Sequence, residues 1–124
     1  MIVTKAGSGT VGDAVERLTG AIEAKGLELF ALVDHSGEAE AHGLSLRDTK
    51  LVIFGSPVAG TPLMQANPLA ALDLPLKVLV WDDDGRTKLS YVPPADLAAR
   101  YDLGDQLAQR LAGIDEITDT AVAT

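Results

Sequence analysis

The segment PLKVLVWDDDGRTKLSY, residues 75–91, decides the kind of fold. Its apolar half, Leu76 to Trp81, has the length and composition of a buried strand. Three aspartates and Gly85 then give a turn signal of the Asp-Gly type, and Thr87 to Tyr91 is the returning strand. Two strands joined so tightly pair in antiparallel orientation. The segment therefore predicts a β-hairpin, and a sheet in which strands do not simply alternate with helices.

Apolar runs and capping residues on either side of the hairpin predict the other elements. Thr10 is a helix N-cap, Asp13 gives an imperfect capping box, and apolar residues then recur with helical spacing up to a stop at Gly26. Asp13 and Arg17 are expected to pair on the helix surface. Shorter signals predict strands at 2–5, 29–33 and 51–54, a short helix from Ser36 toward His42, two helical turns within 61–72 that begin near Pro62 and Pro68, and helices at about 95–100 and 105–111. The tail after Ile114 is expected to be weakly ordered.

Together these elements predict a single domain over residues 1–124, with 47% hydrophobic residues to form its core. The expected fold class is α/β of the α+β kind, a compact two-layer sandwich with a central sheet and short extra helices. Its expected element order is β-α-β-β-β-β-α-α. Three of the strands are apolar on both faces and need cover on both sides. Because two substantial helices cover only one face, a homodimer is expected to cover the other, with cover by the short helices as the alternative.

Composition argues against several classes of function. The formal net charge of −8 opposes binding to nucleic acid and to anionic lipid. There is no cysteine, so disulfides, thiolate nucleophiles and iron–sulfur clusters are excluded. The N-terminal residues do not form an export signal, and no apolar run approaches the ~20 residues of a membrane span. The expectation is a cytoplasmic protein that binds neither nucleic acid nor membrane.

Two motifs suggest an enzyme and are set aside. Residues 7–12 read G-x-G-x-x-G, the outline of a dinucleotide fingerprint. The strand before them is short and the strand–helix alternation fails after Asp34, so the glycines are interpreted as the approach to an N-capped helix. Asp34, His35 and Ser36 are consecutive, so their side chains cannot converge as a hydrolase triad.

The two histidines, His35 and His42, are also weighed as metal ligands. A zinc or iron site would need a third ligand, which Asp34 or Glu38 could supply. The favoured interpretation is a hydrogen-bonded His35 at a strand end and a solvated His42. No metal site is therefore predicted.

Several blocks of sequence resemble one known family. They are Asp34-His35-Ser36 after an apolar strand, Leu51-Val52-Ile53-Phe54-Gly55-Ser56-Pro57, Gly60-Thr61-Pro62-Leu63-Met64, and Leu74-Pro75-Leu76-Lys77-Val78-Leu79-Val80-Trp81. Over roughly Ile2 to Leu111 the chain resembles domain of unknown function family 302 (DUF302). The resemblance implies a compact α/β fold and a homodimer, and it implies no established activity, substrate or cofactor. It also implies that the marked polar positions of the family fall on Asp34, His35, Asn67 and Tyr91.

The segment between the second and third apolar strands offers one more candidate region. Met64 and Asn67 lie in this long, proline-bounded connection, which suits either a ligand-binding lid or a loop packed on the sheet. The first hypothesis is a module that binds a small molecule in a pocket near His35 and the 60–67 segment. Its candidate ligand-binding residues are Asp34, His35, Met64, Asn67 and Tyr91. The alternatives are an enzyme with His35 as general base, or a structural or assembly protein. Neither a catalytic residue nor a cofactor is assigned.

Overall fold

A five-stranded antiparallel sheet forms the centre of the computed structural model, which describes residues 1–122. The strand order is β1-β5-β4-β3-β2, and every neighbouring pair is antiparallel. The strands are β1 (Val3–Ala6), β2 (Glu28–Asp34), β3 (Thr49–Gly55), β4 (Leu76–Asp83) and β5 (Arg86–Tyr91). This confirms the predicted fold class and the five predicted strands.

The predicted hairpin joins β4 to β5. Its two loop residues, Asp84 and Gly85, have φ angles of 55° and 91°. Positive φ at both central positions defines the type I′ turn, whose twist matches the twist of paired strands. The amide of Gly85 also donates a hydrogen bond of 3.1 Å to the Asp82 carboxylate. The turn therefore fixes the register of the two strands on which the rest of the sheet is built.

Helix α1 (Val11–Ala24) begins at the predicted capping box. The Asp13 amide donates to the Thr10 hydroxyl at 3.1 Å, and the Thr10 amide donates to the Asp13 carboxylate at 3.0 Å. The helix stops where Gly26 adopts a φ of 70°. The expected surface pair of Asp13 with Arg17 is wrong. The Arg17 guanidinium donates instead to the backbone carbonyls of Ser8 and Ala121.

Five further helices and one 3-10 helix connect and follow the strands. They are α2 (His35–Ala41), α3 (Pro57–Ala66), the 3-10 helix (Pro68–Asp73), α4 (Pro94–Arg100), α5 (Asp105–Gln109) and α6 (Gly113–Val122). The N-cap of α2 is Asp34 and not Ser36. Pro62 lies inside α3 and does not begin a helix, because the Ser56 hydroxyl caps α3 earlier. Within residues 1–122, none of the helices combines the length and apolar character needed to cross a membrane.

The prediction of a weakly ordered tail is wrong for residues 115–122, which form most of α6. Ile114, Ile117 and Ala121 are buried against α1 and β1. The ammonium of Lys5 holds the helix in place by donating to the Thr118 hydroxyl at 2.7 Å and to the Asp119 carboxylate at 2.9 Å. These contacts join residues more than a hundred positions apart, so a local sequence pattern could not predict them. The same prediction for residues 123–124 lies outside the described residues.

The two faces of the sheet differ in their cover. On one face Val52, Phe54, Val78, Val80 and Leu89 are 0% exposed beneath the helical layer of α1 and α6. The register places Val33, Leu51 and Leu79 in one row across the opposite face. These three residues are half-buried, and neither α1 nor α6 reaches them. The sandwich therefore has one closed face and one open face, on which this apolar row lies among polar residues such as Lys77 and Ser90.

Truncation of Ile117 tests whether α6 is part of the core. Ile117→Ala should lower the free energy of unfolding by about 2–4 kcal/mol, because a fully buried side chain leaves a cavity when it is removed. Thr120→Ala, on the exposed side of the same helix, should change it by less than about 0.5 kcal/mol. Urea denaturation followed by circular dichroism measures both. Equal effects of the two substitutions would mean that α6 does not pack as described.

Candidate functional site

An apolar cavity of about 370 Å³ lies between the N-terminal half of α3 and the sheet. Its walls come from three places. Helix α3 contributes Gly60, Thr61 and Met64, and the sheet contributes Phe30 and Phe54. The turn before α6 and the start of α6 contribute Leu111 and Ile114. Phe54 is fully buried and forms part of its floor. Phe30 is 48% exposed at the edge strand β2, so the cavity is open to solvent.

Small residues create the space. Gly55 ends β3 between Phe30 and Pro75, and a side chain there would meet both at 3.5–3.8 Å. Gly60 faces the interior of the cavity from α3, where the nearest atom to an added Cβ would be the Met64 methyl group at 4.0 Å. Met64 is flexible and fills irregular apolar space well. The local sequence therefore leaves a void that neighbouring side chains do not fill.

The chemistry of the cavity wall is almost wholly apolar. Its polar side chains are Ser56, Thr61 and Arg110. The Ser56 hydroxyl is already engaged, because it accepts a hydrogen bond from the Ala59 amide at the start of α3. The lining contains no carboxylate and no imidazole, the groups that general acid–base catalysis uses most often. Such a wall is suited to holding an apolar body.

Asp34 belongs to a different, polar groove. Its carboxylate accepts hydrogen bonds from the Gly37 amide at 2.9 Å, the Lys50 ammonium at 3.0 Å and the Ser36 hydroxyl at 3.2 Å. The Gly37 amide first, and then Lys50, hold the pKa of Asp34 below its ordinary value. Lys50 also binds the Asp48 carboxylate at 3.2 Å. The carboxylates and the ammonium of this cluster are paired with one another, so the cluster stabilises the start of α2.

The structure does not bring His35, predicted to lie near a pocket with the 60–67 segment, to the apolar cavity. His35 is exposed at the first position of α2 and does not line the apolar cavity. Phe30 lines the cavity, and β2 runs from there to Asp34 over four residues, a distance of about 13 Å. The two features therefore lie toward opposite ends of the same strand. Within the described part of the chain, no three histidine, cysteine, aspartate or glutamate side chains form a group that could hold a metal ion.

Asn67 and Tyr91 hold the fold together at two other places. The Asn67 amide donates to the Tyr101 carbonyl at 3.0 Å and its oxygen accepts from the Leu69 amide at 3.1 Å. Tyr91 is 4% exposed and donates its hydroxyl to the Asp115 carboxylate. The Lys5 ammonium lies 5.3 Å from the centre of the Tyr91 ring. Of the five candidate residues, the structure places only Met64 on the cavity wall.

The sequence interpretation missed the residues that form most of the cavity. Phe30 and Phe54 fall in predicted apolar strands and Leu111 falls at the end of the last predicted helix, whereas Ile114 falls in no predicted element. Arg110 carried no signal at all. Gly55 and Gly60, on either side of Pro57, were the one available hint, because small residues beside apolar strands leave room for a ligand.

Comparison with known proteins agrees with the architecture. The family model described as "Domain of unknown function DUF302" matches residues 3–121. The chain belongs to the DUF302 family. The crystal structure of an uncharacterized conserved DUF302 protein from Bacillus stearothermophilus has the same fold, with a TM-score of 0.81 and 19% sequence identity. The match covers 98% of this chain and 94% of that one.

Two longer relatives carry a functional name. The chain is 37% identical to the fluoride-specific ion channel FluC 1 of Brucella suis biovar 1 (strain 1330), over 99% of this chain and 48% of the relative. It is also 37% identical to FluC 1 of Brucella abortus biovar 1 (strain 9-941), of which it covers 45%. The DUF302 chain thus spans about half the length of the curated relatives that it matches.

Replacement of Asp34 by asparagine tests the role of its charge. Because the folded-state pKa of Asp34 is lowered, its carboxylate stabilises the fold at neutral pH, and this benefit is lost as the pH falls through that pKa. Asp34→Asn should therefore be less stable than the unsubstituted chain at pH 7, and the difference should shrink below about pH 4. Thermal unfolding between pH 7 and pH 2 measures this. Glu40→Gln on the same helix is the control and should not change the stability. A difference in stability between Asp34→Asn and the unsubstituted chain that does not change with pH would contradict the role given to the Asp34 charge.

Proposed function

We propose that this DUF302 chain is a binding module that holds a small apolar molecule in the cavity beside α3. The observation that carries the proposal is the open concave space of about 370 Å³ with an apolar wall. Ligand sites in proteins measure about 300–1,000 Å³ and combine apolar walls with a few polar groups. At roughly 30 Å³ for a water-sized group, the space suits a molecule of about ten to twelve non-hydrogen atoms.

The apolar wall of the cavity faces water. Exposed apolar surface is less favourable than buried apolar surface by roughly 25 cal/mol per Å². Phe54 and Ile114 in the wall are already at most 1% exposed, so the surface that a ligand would cover belongs mainly to residues such as Phe30, which is 48% exposed. A bound apolar body would remove that surface from water, which supports ligand binding at this place.

The position of the titratable residues supports binding over catalysis. His35, the residue suggested as a general base, follows Asp34, which lies about 13 Å along β2 from Phe30 in the cavity wall. Tyr91 and Asp34 are already hydrogen-bonded to structural partners. An enzyme would need such groups within hydrogen-bonding distance of a bound substrate.

We also propose that the module is a homodimer whose contact is the open face of the sheet. Val33, Leu51 and Leu79 form an apolar row across three strands of this face, and Ile53 and Trp81 flank it. A half-buried apolar sheet face is normally covered by a second layer. A second copy supplies such a layer with two-fold symmetry, and it leaves the cavity on the other side of the sheet accessible.

The name of the Brucella relatives points to a different ligand, the fluoride ion. The cavity does not support that reading. A small, strongly hydrated anion loses much solvation free energy in an apolar space. The fluoride-specific channel name belongs to longer proteins, and the match with this chain covers 45–48% of their length. We therefore place the apolar ligand first.

Filling the cavity tests the proposed function. Gly60→Leu should place an isobutyl group in the cavity without strain, because the nearest atom to the new Cβ is 4.0 Å away. Binding of 1-octanol, measured by isothermal titration calorimetry, should weaken more than tenfold. The free energy of unfolding of Gly60→Leu should stay the same or rise by about 0.5–1 kcal/mol, because glycine is unfavourable inside a helix.

Gly20→Leu is the matched control. Gly20 lies in α1, is exposed and has no atom within 4 Å of an added Cβ. The same substitution there should give a similar gain in stability and leave octanol binding unchanged. Saturable binding to Gly60→Leu with the affinity of the unsubstituted chain would show that octanol does not occupy this cavity, and absence of binding to the unsubstituted chain would refute the proposed function.

A charged side chain on the open face tests the homodimer. Leu79→Glu should convert a dimer to a monomer at micromolar concentration, because the carboxylate would have to be buried in the apolar contact. Leu72→Glu, at a 75% exposed position on the 3-10 helix, should remain a dimer. Light scattering gives both masses. A monomer mass for the unsubstituted chain over the same range would overturn the assembly.

A further inference from the structure

One charged side chain lines the apolar cavity, and it is an arginine. Arg110 follows α5, at the turn that leads into α6, and contributes to the wall together with Leu111. The chain as a whole carries 18 acidic and 10 basic residues, yet no acidic residue belongs to this wall. The electrostatic character of the cavity is therefore opposite to that of the protein.

Arg17, Arg47 and Arg100 have acceptors, whereas Arg86 on the exposed hairpin has none within residues 1–122. Arg17 donates to the carbonyls of Ser8 and Ala121, and Arg100 forms an ion pair of 2.7 Å with Asp73. The guanidinium of Arg110 forms no ion pair or hydrogen bond with any residue in the described range 1–122. Its side chain is exposed at the cavity mouth, where its apolar stem can cover the wall while its head stays in water.

We propose that the ligand is an amphipathic anion, with a hydrocarbon body of about eight to ten carbons in the cavity and a carboxylate on the guanidinium of Arg110. This inference rests on the proposed function, since it names the chemical class of the molecule that the cavity holds. The planar fork of an arginine matches a carboxylate with two parallel hydrogen bonds. A medium-chain carboxylic acid, free or as the end of a larger metabolite, has this chemistry.

Other ligand classes leave part of the site unused. A neutral alcohol of the same length would fill the apolar space but would not neutralise the guanidinium. An amine of that length would bring a like charge toward Arg110, which costs free energy. A small hydrophilic anion could meet Arg110 but would leave the apolar surface of Phe30 and Met64 exposed to water. The carboxylate with a hydrocarbon chain satisfies both parts.

Three probes of equal chain length test the inference. Octanoate, 1-octanol and octylamine are titrated into the protein at pH 7.5 by calorimetry. Octanoate should bind about five- to tenfold more tightly than octanol, as expected for a charge-assisted hydrogen bond at a partly exposed site, and octylamine should bind most weakly. Arg110→Gln should remove the preference for octanoate and keep the affinity for octanol. Arg110→Lys should retain part of the preference for octanoate, because the positive charge remains but the two parallel hydrogen bonds of a guanidinium are lost.

Arg86→Gln is the matched control, since Arg86 is an exposed arginine of the hairpin that does not line the cavity. It should leave all three affinities unchanged. Equal affinities for octanoate and octanol, or an unchanged preference in Arg110→Gln, would overturn the anionic ligand and leave the proposed function standing. If octanol does not bind the unsubstituted chain, the proposed function itself fails and the inference fails with it.

Discussion

Burial of one apolar sheet face beneath α1 and α6 is the constraint on which the rest of the structure depends. Val52, Val78, Val80 and Leu89 leave water completely on this face, and full burial of each such side chain contributes about 1.5–3 kcal/mol. The strands cannot curl to hide these residues from water, so the helices must lie across them. Helix α1 alone is too narrow for five strands, and α6 completes the layer beside β1.

Polar contacts decide where α6 sits. Lys5 reaches it from β1, Arg17 reaches its last turn from α1, and Tyr91 reaches its first turn from β5. Within residues 1–122, each buried side-chain nitrogen or oxygen has a hydrogen-bond partner, as a packed interior requires. Since the N-terminal end of α6 carries Ile114 into the cavity wall, the same anchors that complete the core also give the candidate site its third side.

The polar and apolar features of the molecule occupy opposite ends of β2. Asp34, Lys50 and Asp48 form a satisfied cluster that caps α2, whereas Phe30 opens onto the apolar cavity. The clustering of Asp34, His35 and Ser36 in the sequence therefore reflects the needs of a strand–helix junction. None of those polar side chains lines the cavity.

The sequence by itself determined the elements whose causes are local. The Asp84-Gly85 turn, the Thr10 capping box and the spacing of the buried residues of α1 each depend on neighbours within a few positions, so pattern and chemistry identified the hairpin, α1 and the five strands. The segment of Met64 also predicts it as a candidate residue, and the structure places it on the cavity wall. Tertiary structure alone decided the role of Arg17, the burial of α6 and the cavity. Those depend on contacts such as Lys5 with Thr118, which are 113 positions apart in the chain. The cavity is lined by residues from α3, β2, β3 and α6, and no single stretch of sequence contains all of them.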